Sequence, residues 1–89
     1  MELTLLGRAY CHLCDEMQAA LAPMLAGTGV ELRVIDVDAD VALESRWGEQ
    51  VPVLLDGDNL LCMHRLNRAA LTSWLDARAA LVAPERKIG

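Results

Sequence analysis

Phenylalanine is absent from this sequence and tyrosine occurs once, so any core must be assembled from Leu, Val, Ile, Ala and Met, with Trp47 and Trp74 as the bulky fillers. Basic residues are also scarce: eight Lys and Arg stand against 13 Asp and Glu, a net charge of −5. The cations are scattered along the chain, whereas binding a phosphate backbone needs a clustered positive face, and this excludes nucleic acid as the main partner. No stretch approaches the ~18 consecutive apolar residues of a membrane-spanning helix, so no membrane is expected among the partners. Met1-Glu2-Leu3-Thr4 opens with an acid and has no basic n-region. It does not read as a signal peptide, and a cytoplasmic location is expected. There is no internal repeat, low-complexity segment or linker. The 89 residues suit one compact domain over 1–89, expected to act as a monomer of modest stability.

What the chain does have is apolar content, 54% of its residues, enough for a core without crosslinks. Glu2 to Leu6 is a short apolar run ending at Gly7 and reads as a buried strand. From Cys11 to Ala26, the positions of Leu13, Met17, Ala20, Leu21, Met24 and Leu25 fit one face of a helix, stopped by Gly27-Thr28-Gly29. Pro23 lies inside that helix and is expected to kink it or loosen its last turn. Val30 to Val37 alternates apolar with polar residues and predicts a second strand. Asp40 is a cap for a short helix through Arg46, ended by Gly48. The acids at Asp36, Asp38, Asp40 and Glu44 read as a solvated turn and helix start. Val51 to Leu55 is a third strand, Asp56 to Asn59 a hairpin turn, and Leu60 to Met63 a fourth strand. Asn67 caps a last helix carrying Leu71, Trp74 and Leu75, and from Pro84 onward a polar tail is expected. The order βαβ then αββα predicts an α/β fold in three layers, a mixed four-stranded sheet with helices on both faces.

Three cysteines in a reducing compartment do not make a disulfide framework. Two of them, Cys11 and Cys14, stand at C-x-x-C spacing, which brings both sulfurs to one point and leaves redox chemistry and metal binding open. Their placement after a strand and a short loop, at the start of a helix, adds a chemical consequence. Free N–H groups at a helix start favour an anion, and cysteines so placed have pKa values of roughly 3.5–7.5 against ~8.5 for a free thiol. The thiolate is the nucleophile of disulfide exchange, so this arrangement points to Cys11 as the attacking sulfur and Cys14 as the resolving one. Arg8 adds a second positive influence. His12 reads as an exposed spacer or as a residue that tunes the pair, Tyr10 either shields Cys11 or lines a substrate groove, and Arg8, Tyr10, His12 and Leu13 are expected to contact substrate. Asp15 after Cys14 rules out the C-x-x-C-H haem signal; Asp15 and Glu16 are expected to interact with the helix start. Cys62 reads either as a buried inert thiol or, with His64, Cys11 and Cys14, as part of a Cys3His zinc site. An iron cluster shared between two chains through Cys11 is a further reading. The third feature is Val51-Pro52, because an X-Pro bond adopts cis at low energetic cost.

These residues resemble the thioredoxin fold over residues 2–82, and within it the glutaredoxin-like proteins. The resemblance is to a small bacterial group with a Cys-His-Leu-Cys-Asp-Glu site, a basic residue just upstream, and a Val-Pro-Val-Leu strand before an Asp-Gly turn, here Cys11 to Glu16, Arg8, Val51 to Leu54 and Asp56-Gly57. It implies a thiol–disulfide oxidoreductase with a redox-active Cys11–Cys14 disulfide and no bound cofactor. It also implies a cis Pro52 facing the cysteines and a Val51 backbone that hydrogen-bonds an extended thiol substrate, while Cys62 lies on an edge strand away from Cys11. The expected partner is a disulfide-containing protein or a low-molecular-weight thiol. Glutathione-using glutaredoxins carry a Gly-Gly pair after the fourth strand, followed by an acid. This chain has Met63-His64 and Arg65 there, and Gln50 replaces their Thr before Val-Pro. Arg65 suits a substrate carboxylate, but glutathione as co-substrate does not follow.

Overall fold

A computed structural model describes residues 1–82; the tail expected from Pro84 lies outside them. The chain runs β1 (Glu2–Gly7), α1 (His12–Leu25), β2 (Glu31–Asp36), a 3-10 turn (Val37–Ala39), α2 (Val41–Trp47), β3 (Val53–Asp56), β4 (Asn59–Met63) and α3 (Arg68–Val82). The four strands form one sheet in the order β2-β1-β3-β4. β1 and β2 are parallel, as a strand–helix–strand crossover requires, while β1–β3 and β3–β4 are antiparallel.

The core follows from the pleat, which sends successive side chains to opposite faces. On one face Leu3, Leu5 and Leu54 pack with Met17, Leu21 and Leu25 of α1 and Leu71 of α3. On the other, Leu6, Val53 and Leu55 pack with Val37, Leu43 and Trp47 from the turn and α2. Both faces are therefore covered, and the central strands read as continuous apolar runs. Twelve buried apolar residues make up the core, and no charged or polar side chain is buried with them among the described residues. Trp47 and Trp74 are half-buried packing residues, and the Trp74 indole N–H donates to Asp56 Oδ2 at 2.8 Å.

Several boundaries differ from the sequence reading, each for a local reason. Cys11 is not the first residue of α1 but its cap, with extended backbone angles. Pro23, expected to kink α1 or loosen its last turn, lies inside a helix that runs on to Leu25. It lies on the exposed side two residues before the end, and the Ala26 cap still donates its N–H to the Ala22 carbonyl at 3.1 Å. β2 ends at Asp36, because Asp36 Oδ1 accepts from Asp38 N–H and bends the chain into the 3-10 turn that buries Val37. Val34 is half exposed rather than core, since β2 is an edge strand. β3 begins at Val53, leaving Val51 and Pro52 as its approach, and the hairpin turn shrinks to Gly57-Asp58 because Asp56 pairs with Asn59.

Candidate active site

The strand register assembles one end of the sheet. Gly7 of β1 is level with Asp36 of β2. Leu6 faces Val53 of β3, so Pro52 comes level with Gly7, and Val53 faces Met63 of β4, which brings His64 level with Pro52. The loop from Gly7 to α1 leaves from this same end, and it carries the two cysteines. Sequence-distant residues are thus placed side by side by hydrogen-bonded strands, where α/β sheets commonly bind ligands.

Cys11 and Cys14 are joined as a disulfide, with Cα atoms 5.2 Å apart, inside the range such bonds need. Cys11 is partly exposed and Cys14 is buried. The Cys11 Sγ accepts a hydrogen bond from the Cys14 N–H at 3.1 Å, and the Cys11 carbonyl accepts from the Asp15 N–H. A free backbone donor of the first helical turn is therefore aimed at the outer sulfur, and such a donor favours negative charge on the atom it reaches. Cys14 packs directly against position 7, where the absence of a side chain leaves it room. A Cβ at Gly7 would lie 3.3 Å from both the Cβ and the Sγ of Cys14.

Arg8 sits next to Gly7, but its guanidinium is engaged by the protein itself. Nε and Nη2 donate to the two oxygens of Asp38 at 3.0 and 2.9 Å, Nη1 donates to the Gly48 carbonyl at 3.0 Å, and Glu44 lies 3.6 Å away. This fork-to-carboxylate pairing holds Asp38 below the ordinary carboxylate value and raises Arg8 further, the hydrogen bond between them being the main cause. The contact ties the loop before Cys11 to the end of α2, two residues before Gln50. It also leaves Arg8 a positioning group whose charge is largely matched.

Tyr10 precedes Cys11 with a positive φ of 60° and a fully exposed ring. His12 is exposed, its Nε2 3.7 Å from Glu16 Oε2 one helical turn on. Leu13 is half-buried on the side of α1 that faces Arg65 and Leu66. The Val51–Pro52 peptide bond is cis, Pro52 is buried, and its carbonyl accepts from the His64 N–H at 2.8 Å. Among the described residues, neither backbone group of Val51 has a hydrogen-bond partner. His64 has a φ of 68°, and the Arg65 N–H closes back on the Met63 carbonyl at 2.7 Å, a tight three-residue turn.

Cys62 lies on the edge strand β4, half-buried against the α1–α3 side of the core. Among the described residues, no three His, Cys, Asp or Glu side chains come together as a metal-ligand set, so Cys62 and His64 do not gather with Cys11 and Cys14. Sequence reasoning missed Gly7 as a site residue, and it named His64 only as a zinc ligand in one reading, not as the turn residue beside Pro52. A glycine at a strand end before the motif was the available signal for the first. For the second, the signal was that Met63-His64 stands where glutathione-using glutaredoxins carry a Gly-Gly pair, a place where the backbone takes unusual angles.

A family model described as Glutaredoxin-like domain (DUF836) matches residues 2–76. Among solved structures, a Nitrosomonas europaea protein is 33% identical with a TM-score of 0.72, covering 82% of this chain and 88% of its own. A protein from X. campestris is 41% identical with a TM-score of 0.65, covering 84% and 96%. Thioredoxin 1 from Thermosipho africanus, at 16% identity, TM-score 0.59 and coverage of 96% and 100%, shares the fold. A comparison with curated proteins finds none that matches this chain.

Proposed function

Because the chain belongs to the glutaredoxin-like domain family, we propose that it is a thiol–disulfide oxidoreductase acting through Cys11 and Cys14. The observation that carries this reading is the Cys14 N–H donating to Cys11 Sγ at the start of α1, with Cys14 buried directly behind. In the reduced protein this donor and the helix N-terminus favour the Cys11 thiolate. The thiolate attacks one sulfur of a substrate disulfide, forms a mixed disulfide and releases the other substrate sulfur as thiolate. Cys14 then loses its proton and attacks Cys11 Sγ, closing the intramolecular disulfide and releasing the second substrate thiol. A dithiol or two monothiols return the two electrons.

Around this pair, Val51 presents unpartnered backbone groups to an extended substrate and Pro52 holds that segment against the sheet end; Tyr10, His12 and Leu13 flank Cys11 in the chain, Arg65 follows the turn at His64, and all four are assigned to substrate contact. The substrate is a disulfide-bearing protein or a low-molecular-weight disulfide. The test is turnover of a model disulfide with an excess of dithiol. Cys11→Ser is expected to abolish turnover, and Cys14→Ser to stop at a stable mixed disulfide seen by mass. Full activity in Cys11→Ser would overturn the reading.

A further inference from the structure

Between the first two turns of α1 and the turn at His64–Leu66 runs an open trough of about 250 Å³. Its floor is apolar, made by Leu13, Met17, Ala20 and Leu66, and its rim carries Glu16, His64 and Arg65. Leu13, Met17 and Ala20 share one face of α1 by helical spacing, so the trough starts within a turn of Cys11. The opposite wall is fixed to the site as well, through the His64 N–H on the Pro52 carbonyl.

Two features say what enters it. The first is size, because pockets that enclose small molecules are commonly about 300–1,000 Å³ and this one is smaller and open. It suits one side chain of a larger substrate. The second is charge. Arg8 is closed to substrate by Asp38 and Gly48, whereas Arg65 makes no ion pair among the described residues. Glu16, on the helix wall, lies near His12 instead. In a chain of net charge −5, Arg65 is thus the cation beside the site that remains available, on the wall away from Glu16.

Resting on the exchange reading above, we propose that the trough selects protein or peptide disulfides. It takes an apolar side chain of leucine or methionine size next to the substrate cysteine, and Arg65 receives a flanking carboxylate. Glutathione offers no such apolar side chain and is a poorer substrate on this basis.

The probe is a six-residue peptide whose cysteine carries thionitrobenzoate in a disulfide, reacted with reduced Cys14→Ser protein. Cys11 thiolate bonds to the peptide sulfur, the peptide–reporter S–S bond breaks, and the reporter leaves as a coloured thiolate. A peptide with Leu and Glu beside the cysteine is expected to react about fivefold faster than versions with Ser for Leu or Lys for Glu, the size of effect one exposed charge pair or a partly buried side chain supplies. Arg65→Glu should reverse the preference between the Glu and Lys peptides, and Ala20→Trp should remove the preference for Leu. Equal rates for all peptides, or faster reaction of glutathione carrying the same reporter, would overturn the subsite while Cys11-dependent release leaves the exchange reading standing. Release that persists in Cys11→Ser would overturn both.

Discussion

Gly7 ends β1 at the point where any side chain would meet Cys14. With its Cβ and Sγ 3.3 Å from a hypothetical Cβ, Gly7→Val is expected to destabilise the fold by about 1–3 kcal/mol, the usual cost of overpacking. The check is a urea unfolding midpoint, measured with the cysteines oxidised and reduced. Arg8 was legible as a cation near Cys11, but its partners lie 30 and 40 residues away, and nothing local in the sequence announces them. The acids Asp38 and Glu44 read as solvated, and they are half exposed, yet both turn toward Arg8. Cys11 and Cys14 were readable because the C-x-x-C spacing falls at a helix start, where local rules hold. The turn role of His64 was legible only against the Gly-Gly pair of glutathione-using glutaredoxins, because its positive φ is imposed by the hydrogen bonds from His64 to Pro52 and from Arg65 to Met63.

Periodicity made the helices and central strands visible, since each buries a defined face. What it misjudged were edges and ends. Val34 follows the alternation of a buried strand but lies on an edge that α1 leaves half open. Pro23 falls in the last turn of α1, on its exposed side, and the helix runs past it to Leu25. The cap of α2 was legible from one residue: Asp40 Oδ1 accepts from the N–H groups of Ala42 and Leu43 at 2.8 and 3.2 Å. Asp40→Ala should lower stability by about 0.5–2 kcal/mol, read as a shift in thermal midpoint. Because α2 ends at the Gly48 carbonyl that receives Arg8, the same variant should also loosen the loop before Cys11, seen as faster amide exchange at residues 8–10.

At the scale of the whole molecule, the order β2-β1-β3-β4 places Asp36, Gly7, Pro52 and His64 in a row across one sheet end. The chain order βαβ then ββ implied a mixed sheet; which residues line that end depended on register, which periodicity does not set. The pair Arg8–Asp38 joins the two halves across this end and gives the fold a pH dependence. Asp38 is held below its ordinary value of 3.8 in the folded chain by the Arg8 hydrogen bond. A carboxyl so lowered stabilises the fold above the unfolded value and loses that contribution as pH falls through the folded one. Thermal midpoints of wild type and Asp38→Asn should therefore differ at pH 6 and draw together as the pH falls below the ordinary Asp value and Asp38 takes up its proton, and the difference at pH 6 should shrink in high salt because both groups are exposed. The central claim, that Cys11 is a thiolate nucleophile held by the start of α1, is tested most directly by the pH dependence of its alkylation in the reduced protein. Mass spectrometry locates the modified residue. Iodoacetamide should modify Cys11 ahead of Cys14 and Cys62, with a rate midpoint well below the ~8.5 of a free thiol. A midpoint at or above that value, or modification of Cys14 first, would contradict it.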